Sequence, residues 1–143
     1  MDIIQHFVNT AKRAIAARSD GAEIYGAYGY LLDQFLSSAV NQLTDKWGGS
    51  IKNRARLDLE MANAVVATVR AEQVFLPLSP YASFQGVEKD DVYELYSYII
   101  DELKKMDAKF PYLSLVEAVS GPMVIFQGKD SGPPRRVDFI LEY

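Results

Sequence analysis

Apolar residues return every third or fourth position at the start of the chain. Ile3, Ile4, Phe7, Val8, Ala11, Ala14 and Ile15 fall on one face, so the spacing predicts an amphipathic helix over residues 3–17. Asp2, followed three residues later by Gln5, has the spacing of a capping box. Ser19-Asp20-Gly21 then stops the helix. Residues 22–25 (AEIY) form a short apolar run of the kind a buried parallel strand shows. Gly26 and Gly29 break it, and residues 31–36 read as a short helix. Past the Gly48-Gly49 loop, Ser50 is placed to cap another helix. Ala55, Leu59, Ala62, Val66 and Val69 are expected to line its buried face, through Arg70.

A second strand is predicted over residues 74–80 (VFLPLSP), although Pro77 removes a donor that a central strand needs. Val92, Leu95, Tyr96, Ile99, Ile100, Leu103 and Met106 predict a third helix. A third strand follows from Tyr112 (YLSLVEA). The stretches PMVIFQ and VDFILEY are short strand or helix starts, divided by the polar loop GKDSGPPRR. The order is helix, strand, helix, strand, helix, strand, which implies an α/β fold with parallel strands and right-handed crossovers. Such an order fits part of a barrel or a small open sheet, and spacing alone does not choose between them.

Composition narrows the function classes. The 143 residues are expected to form one domain, 1–143. A net charge of −4, with basic pairs such as Lys12-Arg13 and Arg135-Arg136 but no basic stripe, argues against nucleic acid as a partner. There is no cysteine, which excludes disulfides, thiolate catalysis and cysteine metal sites. The single histidine, His6, lies in the first helical pattern and is expected on its surface, so no metal centre is predicted. No apolar run approaches the ~18 residues of a membrane span. The N-terminus carries an acid where a signal peptide would be basic, so a soluble cytoplasmic protein without membrane contact is expected.

The chemistry concentrates in EIYGAYGYLLDQFL, where Tyr25, Tyr28 and Tyr30 crowd the end of the first predicted strand. This stretch, TDKWGGSIKNRARLDLE, LSPYASFQGVE and YLSLVEAVSG occur in that order. Together they resemble the Old Yellow Enzyme family, the flavin-dependent ene-reductases built on a (β/α)8 barrel. The resemblance covers about residues 4–121, and residues 137–140 more loosely. It implies a partial TIM barrel of about three parallel strand-helix units, similar to the middle of the family's barrel. On that reading the chain is truncated. The family strands that hold the flavin ring, and the late loops that grip its phosphate, would lie outside it.

The family also implies roles for individual positions. Its first matched strand ends in a histidine and an asparagine that donate hydrogen bonds to a substrate carbonyl. A nearby tyrosine then supplies a proton. Here Tyr25 stands at the histidine position, Tyr28 at the asparagine position and Tyr30 at the proton donor. Phenols are also donors, so Tyr25 and Tyr28 are candidate substrate-binding residues and Tyr30 the candidate catalytic acid. The plainer alternatives are packing for Tyr25 and Tyr28, and loop anchoring for Tyr30. Pro77 stands where the family has a flavin-facing arginine, so no cofactor-binding residue is assigned. Ser114 and Ala118-Val119 replace a histidine and a Pro-Arg pair. Trp47, Gly48, Gly49, Asn53, Arg54 and Arg56 keep a loop-helix unit expected to be architectural, and Glu117 is expected to be a structural acceptor.

By resemblance the chain is an FMN- and NADPH-dependent oxidoreductase acting on the C=C bond of α,β-unsaturated carbonyl compounds. One alternative is a flavin-free isomerase or epimerase that moves a proton beside the carbonyl of an enone or ketone. Another is a non-catalytic relic or a partner subunit of a full-length reductase. Three strand-helix units would leave sheet edges and one sheet face open, so a homo-oligomer or a partner-completed barrel is expected.

Overall fold

The computed structural model of the chain describes residues 2–106 and 113–116. Glu117, Ala118-Val119, Tyr112 and the stretches PMVIFQ and VDFILEY lie outside the described residues. Helix α1 spans Ile3–Ala16 and buries Val8 and Ala11. Asp2 Oδ1 accepts from the Ile4 N–H at 3.1 Å. Gln5 Nε2 donates forward to Asn9 Oδ1, so Asp2 caps the helix through one half of the predicted box. His6 is exposed, on the helix surface as expected.

Strand β1 (Ala22–Glu23) leads through the tyrosine loop to α2 (Leu31–Leu36), α3 (Ile51–Arg54) and α4 (Arg56–Val66). Strand β2 (Val74–Leu78) follows, then α5 (Val92–Lys105) and β3 (Leu113–Leu115). The three strands lie parallel in the order β1-β2-β3. Glu23 is in register with Phe75, and an isolated bridge pairs Gly26 with Leu78. Tyr25 therefore stands beside Pro77, which is in register with Ser114 of β3.

Alternation divides the sheet into two faces. Ile24, Val74, Leu76 and Leu78 are almost fully buried and join the core formed with Leu57, Met61 and Val65 of α4 and Leu95, Tyr96 and Ile99 of α5. Each fully buried Leu or Val contributes roughly 1.5–3 kcal/mol relative to an exposed one. The opposite face carries Glu23, Tyr25, Phe75, Pro77 and Ser114.

Pro77 does sit in the central strand. Its carbonyl accepts from the Gly26 N–H at 3.1 Å, and the Phe75 carbonyl accepts from the Ile24 N–H at 2.8 Å. In a parallel ladder the next rung would run from the N–H of residue 77 to the carbonyl of Ile24. Proline has no such N–H. The deficit falls on the side of β1, the shortest strand.

One predicted face is shifted. Helix α4 buries Leu57, Asp58, Met61, Ala62 and Val65, whereas Leu59 and Val66 are only partly buried. The apolar pattern misses this phase because an aspartate occupies a core position. Ser50 caps α3 as expected, its Oγ accepting from the Asn53 N–H at 3.3 Å. Among the described residues, no helix is long and apolar enough to cross a membrane.

Candidate functional site

The site is built on the loop that leaves β1. Gly26 lets this loop lie against β2, since a Cβ there would stand 3.0 Å from Leu78 Cδ2 and 3.1 Å from the Pro77 carbonyl oxygen. Tyr28 adopts a left-handed conformation, φ 56°, which is uncommon for a residue other than glycine. Gly29 continues it at φ 78°, and a Cβ there would fall 2.5 Å from the Phe84 carbonyl oxygen. Two left-handed residues turn the chain sharply, and Tyr30 returns to extended backbone as the N-cap of α2.

This turn gathers the three phenols named from the sequence. The Tyr25 and Tyr28 rings stack with centroids 6.2 Å apart, and Tyr30 meets Tyr25 edge-on at 5.6 Å. The three are 40%, 38% and 54% exposed, at the carboxyl end of β1. Burial of its ring, then the neighbouring Tyr28 and Tyr30 phenols and Glu23, raise the pKa of Tyr25 above the ordinary phenol value. Tyr25 is thus a proton-bearing donor at neutral pH.

A buried polar network lies beneath the loop. The Tyr28 N–H donates to Ser79 Oγ at 2.8 Å, and the Gly29 N–H donates to Asp33 Oδ2 at 2.8 Å. Ser79 Oγ in turn donates to Asp33 Oδ2 at 3.2 Å. Lys89 Nζ lies 2.8 Å from Asp33 Oδ1, with both side chains fully buried. That contact is an ion pair without the direction of a good hydrogen bond. A second carboxyl, Asp58, is fully buried, and neither of its oxygens has a hydrogen-bond partner among the described residues. Burial first, and then the charge of Asp33, raise its pKa well above the usual carboxylate value, against smaller opposing effects of its own backbone N–H and of Lys89. Burial also raises the Tyr96 phenol, helped by Asp33 and Asp58.

Sequence reasoning missed Asp33, Ser79, Lys89 and Asp58. The two aspartates carry only a weak mark in the sequence, each following a leucine directly within a helical stretch. Lys89 carries no such local mark, because its partner lies across the fold. The loop-helix unit has the architectural role expected of it. Arg54 donates from Nε to the Gly49 carbonyl at 3.1 Å, and its Nη atoms reach the Leu36 carbonyl and Asp91. Asn53 Nδ2 holds the Gly48 carbonyl at 3.0 Å, and Arg56 Nε holds the Lys46 carbonyl at 2.9 Å.

Chemically, the arrangement offers phenolic donors that a carbonyl oxygen could accept, and a phenol able to give up a proton. A flavin would need a cation or donor beside its ring. At the position where the resemblance expects one, Pro77 is buried between Tyr25 and Ser114 and supplies neither. The described residues at this position therefore do not fit a flavin ring.

Comparison with known proteins agrees with this architecture. A "Probable NADPH dehydrogenase" of Candida albicans is 48% identical over 115 residues, covering 78% of this chain and 28% of that protein. "12-oxophytodienoate reductase 1" of Oryza sativa subsp. japonica is 42% identical over 127 residues, covering 89% and 32%. The crystal structure of Old Yellow Enzyme from Pichia sp. AKU4542 superposes with a TM-score of 0.76 at 42% identity, over 84% of this chain and 35% of that one. The chain thus spans about a third of the length of these relatives, and its parallel sheet with helices is part of their TIM barrel rather than a small open sheet. The profile of the NADH:flavin oxidoreductase / NADH oxidase family matches residues 1–130, and the chain belongs to that family.

Proposed function

We propose that this chain forms the substrate-side wall of an Old Yellow Enzyme-type reductase acting on the C=C bond of an α,β-unsaturated carbonyl compound. The observation that carries this is the exposed cluster of Tyr25, Tyr28 and Tyr30 at the carboxyl end of β1, where barrel enzymes place their chemistry. Tyr25 and Tyr28 orient the substrate carbonyl by donating hydrogen bonds, which polarises the conjugated alkene. Tyr30 gives its hydroxyl proton to the α-carbon, and the phenolate recovers a proton from water. The hydride that completes the reduction at the β-carbon would come from FMN reduced by NADPH, and no described residue is assigned to hold that group.

Two measurements test the proposal. Flavin binding is followed by the yellow absorbance retained by the purified chain after dialysis with FMN. Turnover of an enone with NADPH is then compared between wild type and Tyr30→Phe. Loss of a general acid is expected to lower kcat by about 10²–10⁴-fold with little change in KM. Equal kcat for both proteins would overturn the role of Tyr30.

A second reading is favoured by Pro77, which leaves the phenols without a flavin contact beside them. A flavin-free isomerase or epimerase needs only a polarised carbonyl and a group that moves a proton next to it. Exchange of α-deuterium in a ketone, without flavin, would be slowed by Tyr30→Phe on this reading. Equal exchange rates reject it.

A further inference from the structure

Tyr28 holds a conformation that L-residues rarely adopt, and Gly29 shares it. The N–H groups of both residues are taken up by side chains packed beneath the loop. Ser79 Oγ takes the Tyr28 N–H, Asp33 Oδ2 takes the Gly29 N–H, and the two acceptors are themselves hydrogen-bonded. Gln34 Nε2 closes the turn by donating to the Gly29 carbonyl at 2.7 Å. The charge on Asp33 is balanced by Lys89, from the loop between β2 and α5, which also donates to the Val87 carbonyl at 3.2 Å. Asp33 of the adjoining helix and Ser79, distant in sequence, thus hold the two backbone N–H groups of the tyrosine loop, with Lys89 behind Asp33.

We infer that Asp33, Ser79 and Lys89 are positioning residues that hold Tyr28 in its left-handed conformation and so set the mutual placement of the three phenols. Lys89 acts through Asp33, and Asp33 acts on the loop both directly and through Ser79. A buried carboxylate without its countercharge is costly, so removing Lys89 should release the turn. The relevance to catalysis rests on the function proposed above, whereas the positioning itself does not.

The test is therefore read without turnover. Amide hydrogen exchange at Tyr28 and Gly29, and the ¹⁹F shifts of 3-fluorotyrosine at positions 25, 28 and 30, are recorded for wild type, Lys89→Met, Lys89→Arg and Ser79→Ala. Lys89→Met is expected to speed exchange of both amides by about tenfold or more, the scale of a lost hydrogen bond. It should also move the tyrosine resonances, and Lys89→Arg should restore part of both effects. Ser79→Ala leaves the Asp33–Lys89 pair intact and should expose the Tyr28 amide while the Gly29 amide stays protected. Wild-type exchange and shifts in a folded Lys89→Met overturn the inference, as does wild-type protection of Tyr28 in Ser79→Ala. If Lys89→Met does not fold, Ser79→Ala decides alone. Altered resonances with an inactive wild type would reject the proposed function and leave the positioning standing.

Discussion

Asp58 shows how one residue can set a pH response. It is fully buried with two unpartnered oxygens, and its folded pKa lies well above its unfolded value. Asp33, Lys89 and Tyr96 are the titratable groups that interact with it. A raised carboxyl pKa favours the fold below the unfolded value, about pH 4, and this contribution is lost as pH rises through the folded value. Wild-type stability should carry a falling slope of up to about 1.4 kcal/mol per pH unit from this group. Asp58→Asn should remove the slope and gain stability progressively above pH 4, read from urea melts between acid and neutral pH. Parallel curves for the two proteins would reject this. Asp58 also marks where sequence reading stops at this scale. The grouping of Tyr25, Tyr28 and Tyr30 was legible because the three lie within six residues. Asp58 was not, because apolar periodicity treats a charged residue as solvent-facing and so shifted the expected face of α4 onto Leu59 and Val66.

At the scale of elements, α1, α2, α5 and β2 follow the predicted spans closely, since each has a clear period or a short run with a stop signal beside it. Less legible was how they are tied together. Arg54 is 3% exposed and joins three of them, bonding the last carbonyl of α2, the loop before α3 and the N-cap aspartate of α5. Nothing local in the sequence of α3 announces Asp91 as a partner, since 37 residues separate them. Arg54→Met keeps much of the packing volume but leaves these acceptors without their donor. It should cost at least about 1.5–3 kcal/mol, the range for a hydrogen bond to a charged group. Unchanged urea midpoints would show that the joint is dispensable.

For the molecule as a whole, the parallel order was legible from the alternation of elements, and the barrel from resemblance. The described strands end at β1 on one side and β3 on the other, and one sheet face presents Tyr25, Phe75, Pro77 and Ser114 away from the helices. Sheet edges without a neighbouring strand among the described residues, and a face that bears the exposed Tyr25, invite association with another chain. The purified protein is therefore expected to elute from gel filtration as a dimer or larger species at micromolar concentration. A single monomeric peak across a dilution series would refute that. The missing rung between Pro77 and Ile24 adds a mechanical consequence. The sheet's zip lacks a tooth at the seam where the phenol-bearing ribbon meets its neighbour. Heat or a pulling force should open that seam first, peeling α1 and β1 away while β2, β3 and α5 still hold together.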